Sequence, residues 1–378
     1  MTPQVISAMD GAFRVVGNPS SVHSAGRTAR RLVEESRETV AAAIGCHPAG
    51  VVFTSGGTEA DNLAIKGLWL QRHAADPRRN RLLVGAVEHH AVLDAAHWMA
   101  VGEGAVLEEI PVDDFGVLRV DALRAIIERD PASVALISVM WANNEVGSLQ
   151  PLAAVVALAA EFEIPVHSDA VQVIGAVPVD FRASGLAAMT VSAHKYGGPM
   201  GIGALVLQRE VTPIPLLHGG GQERDIRSGT IPMPLIVGMA AAFADAVAEL
   251  DAHHARISAL RDDLVERVLE LDVGAVLRGH PTQRLPGNAH FTFTGCEGDA
   301  LLMLMDASGV QVSTGSACSA GIPQPSHVLL AMGLDGATAR GALRFSLGRT
   351  STSEDVDAVI AVLPGVVERA RKAGLINR

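Results

Sequence analysis

Ala187-Ala188-Met189-Thr190-Val191-Ser192-Ala193-His194-Lys195 reads as an apolar β-strand that stops abruptly on polar residues. Four other stretches repeat the pattern. Val51-Val52-Phe53-Thr54 runs into Ser55-Gly56-Gly57-Thr58 and a helical run through Leu68. Arg81 to Val87 ends at Glu88-His89-His90, and Val134 to Met140 ends at Trp141-Ala142-Asn143-Asn144-Glu145. Ile164 to His167 ends at Ser168-Asp169-Ala170-Val171-Gln172. Ala/Leu-rich helical runs separate these strands, an alternation that predicts an α/β fold with a mixed, mostly parallel sheet. Open α/β sheets take their ligands just past the carboxyl ends of the strands, so five polar strand ends predict one binding edge.

The chain has 378 residues, more than one ordinary core, and two domains are expected. Ala252 to Leu271 reads as a long amphipathic helix opening a smaller α/β domain with short strands such as Asn288 to Thr294. The division predicted is a large domain over 1–250 and a small C-terminal domain over 251–378. A formal net charge of −11 argues against direct nucleic-acid binding, which needs a basic face. No apolar run reaches the roughly 18–20 residues that span a bilayer, so no membrane partner is expected. Met1 to Asp10 lacks the basic start and apolar block of a signal peptide.

Three cysteines occur, Cys46, Cys296 and Cys318, without zinc-like spacing. Sparse free thiols suit a reducing compartment, and the cytoplasm is expected. Lysine is rarer than the arginine count suggests: only Lys66, Lys195 and Lys372 occur. Lys66 fits an exposed helix face and Lys372 a basic tail. Lys195, after a strand and before Tyr196-Gly197-Gly198, is the Schiff-base candidate.

Each other candidate carries two readings. Gly56-Gly57-Thr58 suits close approach of backbone amides to an anion at a helix start, or is a tight turn with Thr58 as N-cap. Asp169 either caps a helix or pairs with a protonated ring nitrogen, with Gln172 reaching a ring hydroxyl. Ser192 and His194 suit a phosphate. His89 is a ring for stacking and proton transfer, or a hydrogen-bonded strand-end histidine; no HExxH or Cys/His cluster supports a metal. His253 and His254 are expected to be solvated. Arg344, inside Leu343-Arg344-Phe345-Ser346, binds a carboxylate or makes an internal salt bridge. Cys318 sits in Ser313-Thr314-Gly315-Ser316-Ala317-Cys318-Ser319-Ala320-Gly321, a small-residue loop where a reactive thiol is favoured over a core cysteine.

Together these blocks resemble the cysteine desulfurases of the NifS/IscS type, in the class V aminotransferase group. TSGGTEADNLAIKG, VEHHAVLD, WANNEVG, HSDAVQ, SAHKYGGPMGIGAL, HGGGQERDIRSGT, STGSACSAGIPQPSHVL and LRFSLGR run in family order from about Pro19 to Arg349. The resemblance implies the pyridoxal-phosphate (PLP) type I fold, a homodimer, and conversion of L-cysteine to L-alanine with sulfur left as a persulfide on Cys318. By position, Lys195 carries the cofactor and His89 stacks on its ring. Asp169 holds the ring nitrogen, Asn144 and Gln172 lie near the ring oxygen, and Gly57, Thr58, Ser192 and His194 bind the phosphate. Thr230 reaches the phosphate held by the partner subunit. Arg344 takes the substrate carboxylate, with Asn144 nearby.

The resemblance further implies a sulfur-acceptor protein as partner, for iron–sulfur assembly, tRNA thiolation or DNA phosphorothioation. The rival readings are a selenocysteine lyase or another class V PLP enzyme, and a non-catalytic scaffold of the same fold. Family members open with a segment like Tyr-Leu-Asp-x-Ala-Ala-Thr-Thr-Pro, of which only Met1-Thr2-Pro3 matches the end here. Either the start codon is assigned too late or the protein lacks part of the wall at the substrate entrance.

Overall fold

The computed structural model describes residues 1–315 and 324–376, and Cys318 lies outside them. Two compact units emerge. The first comprises Met1–Ile110, Val120–Trp141 and Pro151–Leu250; the second comprises Pro111–Arg119, Ala142–Gln150 and Asp251–Arg378.

The first unit is built on a seven-stranded sheet. Its strands are β1 (Val51–Thr54), β2 (Arg81–Gly85), β3 (Val106–Ile110), β4 (Val134–Ser138), β5 (Val166–Asp169), β6 (Ala188–Ser192) and β7 (Gly203–Leu207), in the order β1-β7-β6-β5-β4-β2-β3. β7 runs antiparallel to both its neighbours, while β6, β5, β4, β2 and β3 pair in parallel. β1 therefore points the same way as β6, and the carboxyl ends of β1, β2, β4, β5 and β6 share one edge. Except for the outer strand β3, every strand is buried throughout. That is the burial of a sheet covered by helices on both faces, and it accounts for the continuous apolar runs in the sequence.

One face is covered by a helical run from Gly57 to Ala75, with a π-helical stretch at Leu63–Leu68, and by the helix His90–Gly102. Leu63, Ile65, Trp69, Val92 and Met99 pack there against Val52, Leu82 and Val84. Each large apolar side chain so buried contributes about 1.5–3 kcal/mol.

Two strands end sooner than their apolar runs suggest. After Gly85 the chain turns back, with the Glu88 N–H donating to the Gly85 carbonyl at 3.2 Å. After Ser138 the Val139 and Trp141 N–H groups still reach the β5 carbonyls of His167 and Asp169, at 3.1 and 2.8 Å, but the ladder itself has ended.

The second unit carries a three-stranded antiparallel sheet, β10-β9-β8, from β8 (Ala275–Arg278), β9 (Asn288–Phe293) and β10 (Ala342–Ser346). Its core gathers Phe291, Phe293 and Phe345 with Leu264, Leu301 and Leu363. The helix expected from Ala252 spans Leu250–Glu270, and His253 and His254 on it are half-buried rather than fully solvated. Among the described residues no single helix is long and apolar enough to cross a membrane.

Candidate active site

Three strand ends converge on Gly57. A Cβ added there would lie 3.0 Å from Val171 Cγ2 and 3.4 Å from Ser192 Cβ, so the turn after β1 touches the segment after β5 and the end of β6. The helix start is capped by Gly56 with no side-chain hydrogen bond, and Thr58 is the second residue of the first turn. Thr58 is thus not the N-cap, and its exposed hydroxyl sits beside the first-turn amides that a helix cannot satisfy internally.

Ser192 Oγ and His194 Nδ1 lie 3.0 Å apart at the end of β6. Burial, and then the neighbouring Lys195 charge, lower the pKa of His194. Lys195 is exposed, and its ammonium also acts on the buried Asp169. Lys66 and Lys372 are engaged elsewhere. Lys66 Nζ lies 4.4 Å from the Trp98 ring centroid, and Lys372 pairs with Glu368 at 2.6 Å.

Asp169 accepts the Val171 N–H at 2.9 Å, but the residues that follow form turns rather than a helix, so it caps no helix. Burial pushes the pKa of this carboxyl up to about 6. Two deeper acids without an assigned role lie close enough to act on it. Asp61 is buried, and its pKa is raised by burial and by the Asp169 charge. Glu88 is buried too; Oε1 accepts the Met140 N–H at 2.6 Å, and burial raises its pKa as well. Three carboxylates in one dry region repel one another, so protons settle on the deeper two and ionisation falls to Asp169.

Beneath them His167 bridges the sheet. Nδ1 lies 2.9 Å from Ser138 Oγ and Nε2 lies 3.0 Å from Thr190 Oγ1. Asp61 Oδ1 stands 3.7 Å from the same Nε2, the spacing of an ion pair. Burial holds the His167 pKa down at about 3 while Asp61 is pushed up, so the contact joins two neutral groups.

His89 is the N-cap of His90–Gly102, with Nδ1 accepting the Ala91 N–H at 3.1 Å. Its ring is half-buried and edge-on to His90, at 75° and 6.5 Å between centroids. His90 turns to Asp94, 3.2 Å away, so the two histidines do not converge on an ion. Gln172 is half-buried next to Val171. Thr230 is exposed and follows Arg227, whose guanidinium grips Glu59 at 2.7 and 3.2 Å and ties that segment to the turn after β1.

In the second unit, half-buried Arg344 on β10 donates through Nη1 to the Asn144 carbonyl at 2.7 Å. Of the other cysteines, Cys296 is buried. Cys46 is half-buried, and burial pushes its thiol pKa up to about 11, which suits neither for thiolate chemistry.

The first unit's donor set fits pyridoxal phosphate. A buried carboxylate suits a ring N–H, an exposed lysine lies beside it, and hydroxyl, imidazole and helix-start amides suit a phosphate. Asp169 is the specific observation: a buried acid held near pH 6 gains most from an adjacent cation.

The model of the aminotransferase class-V family matches residues 1–359. An IscS-like cysteine desulfurase of Mycobacterium tuberculosis is 55% identical over 376 residues, covering 99% of this chain and 95% of that one. A cysteine desulfurase IscS of Methanosarcina thermophila is 42% identical, with 94% and 86% covered. Among solved structures, a NifS-like protein superposes with a TM-score of 0.88 at 34% identity, covering 98% of this chain and 96% of its own.

Proposed function

The chain belongs to the aminotransferase class-V family, among its cysteine desulfurases, and on that premise we propose that it converts L-cysteine to L-alanine and keeps the sulfur as a persulfide on Cys318. The observation that carries the reading is the buried Asp169, within electrostatic reach of Lys195 at the shared sheet edge, with the Ser192–His194 pair and Gly57 at the neighbouring strand ends. Pyridoxal phosphate, when bound, supplies an electron sink that acidifies the substrate Cα–H. Asp169 would hold the ring nitrogen as its cation, and His89 would lie against the ring. Asn144 and Gln172 address the ring oxygen, while Gly57, Thr58, Ser192 and His194 hold the phosphate.

Lys195 Nζ anchors the cofactor and then moves the substrate's α-proton, and Arg344 fixes the substrate carboxylate. The Cys318 thiolate attacks the substrate sulfur: an S–S bond forms, the Cβ–S bond breaks with its electron pair left on the carbon skeleton, and Cβ takes up a proton, equivalent to the one the thiol lost, to give alanine. Residues 1–250 without 111–119 and 142–150 thus form the cofactor domain, and 251–378 together with those two segments, which the expected division had put in the first domain, form the domain carrying the thiol. Exposed Thr230 suits contact with a phosphate held by a second copy, and we assign a homodimer. Free thiols at Cys46 and Cys296 support a cytoplasmic setting, with an acceptor protein taking the sulfur.

Cys318→Ser tests the assignment. The cofactor's visible band and its response to L-cysteine are expected to persist while alanine formation ceases. Alanine at the wild-type rate would remove the thiol from the reaction.

A further inference from the structure

Within the second unit, the segment that contains Cys318 leaves and re-enters the described chain beside one carboxylate oxygen. On the outgoing side, Ser313 pairs with Arg344 of β10: Ser313 N–H donates to the Arg344 carbonyl at 3.2 Å and Arg344 N–H to the Ser313 carbonyl at 2.6 Å. Two residues later Gly315 has φ +88, and a Cβ there would lie 3.0 Å from Glu145 Oε2 and 3.3 Å from His290 Nε2. On the returning side, Ser326 Oγ donates to that same Glu145 Oε2 at 2.5 Å, and also accepts the Leu329 N–H at 3.2 Å as a helix cap.

Glu145 itself is firmly set. It is buried, its N–H donates to Asn143 Oδ1 at 2.9 Å, and its carbonyl accepts from Asn288 Nδ2 on β9 at 3.0 Å. The residue before it, Asn144, offers the carbonyl that holds the Arg344 guanidinium. One short turn therefore holds Arg344 by a backbone oxygen and the returning end of the Cys318 segment by a side-chain oxygen, with Gly315 of the outgoing end close beside that same oxygen. Arg344 sits opposite His290 in the β9–β10 ladder, so the wall behind Gly315 belongs to the same sheet.

A buried carboxylate is costly unless it is hydrogen-bonded, and a cheaper residue would serve if only packing were needed here. We propose that Glu145 is a positioning residue for the persulfide-forming step, holding the stem of the Cys318 segment in register with Arg344. It acts through Ser326 and Gly315 and touches no reacting atom. The inference rests on the reading of Cys318 as the sulfur-accepting thiol and of Arg344 as the carboxylate binder. A misplacement of about an ångström between reacting groups costs up to about a hundredfold in rate, which sets the scale.

The test is a single turnover of the PLP-loaded enzyme with L-cysteine, following two signals. One is the spectral response of the cofactor band, which precedes the thiol's attack; the other is persulfide on Cys318, counted by mass spectrometry. Glu145→Ala is expected to leave the spectral response within about twofold and to slow persulfide formation about tenfold or more. Glu145→Gln, which keeps an acceptor for Ser326, should recover most of that loss. Ser326→Ala should slow the same step less, and the double variant Glu145→Ala/Ser326→Ala should be no slower than Glu145→Ala alone.

Persulfide forming at the wild-type rate in Glu145→Ala overturns the proposal, as does an equal loss of both signals, which marks a merely structural residue. Should Glu145→Ala fail to fold, Ser326→Ala decides alone, and an unchanged persulfide rate there overturns it. Failure of the underlying reading shows differently: alanine would still form in Cys318→Ser whatever Glu145 does.

Discussion

The two candidate regions are built on opposite principles. In the first unit, polar residues hang from the ends of four strands that share one edge, β1, β2, β5 and β6, and each strand delivers its own side chain. In the second, a single turn at Asn143–Glu145 holds β9 and β10 by its backbone carbonyls and Ser326 by the Glu145 carboxylate, with Gly315 beside that carboxylate. The first arrangement suits chemistry that needs charges fixed in a dry place. The second suits the registering of a segment by the residues at its two ends. The buried polar groups differ in the same way. His167 is hydrogen-bonded through both nitrogens to its neighbouring strands, whereas neither His290 nitrogen has a partner among the described residues.

The largest effect should separate the acids of the first region. Asp169 is the one that ionises, so Asp169→Asn should cut alanine formation about a hundredfold or more and alter the cofactor's visible band. Asp61 already carries a proton by the same reasoning, and Asp61→Asn replaces one neutral acceptor with another. Steady-state alanine production is expected to change by less than about threefold in Asp61→Asn. Equal losses in the two variants would break the division of charge between them.

Next in size is acid sensitivity, read by urea melts across pH. Burial holds His167 and His290 near pKa 3, with nearby arginines adding to the effect at His290. Their folded pKa values lie below the ordinary 6.5. The unfolded chain therefore binds the extra proton first, and stability is fully present above about pH 6.5 and falls as pH drops toward 3. Each histidine can contribute about 1.4 kcal/mol per pH unit to that slope. His290→Leu should flatten the slope and cost less than about 1 kcal/mol at pH 7.5, because no hydrogen bond is broken. His167→Leu should flatten it too, yet cost about 2–4 kcal/mol by stranding Ser138 and Thr190. A His290 variant as costly as its counterpart would mean that the ring does more than fill space.

This contrast also explains what can be read from the chain itself. An apolar run that switches to polar residues is a local signal, and it alone places Thr58, His89, Asp169, Ser192 and Lys195 at one edge. The same signal passes over Asp61 and His167. An acid in a helix looks like a solvent-facing residue, and a histidine inside a buried strand gives no sign of its partners. Glu145 reads only as one more polar strand end, since its partners at 288 and 326 are far away in sequence. Nor does any glycine signal the left-handed backbone of Glu223, Arg224 and Asp225, with φ of 47, 56 and 62. The buried pair of Glu223 with Arg37, at 2.7 Å, sits beneath that turn and is equally non-local.

The smallest effects come from one substitution made in both regions. Gly57→Ala places a methyl 3.0 Å from Val171 Cγ2, a side-chain atom that can give by a few tenths of an ångström. Alanine also gains up to about 1 kcal/mol over glycine within a helix, so thermal stability should stay within about 0.5 kcal/mol of the parent. Gly315→Ala forces a left-handed backbone on an alanine, at φ +88, and presses its methyl against Glu145 Oε2 and His290 Nε2. The backbone alone costs about 1–2 kcal/mol. Chemistry divides the pair further. Gly57→Ala sits beside the proposed phosphate cradle and should weaken cofactor retention without touching persulfide transfer once the enzyme is loaded. Gly315→Ala should keep the cofactor and slow persulfide formation. Finding both defects in either variant would mean that the two regions act as one unit after all.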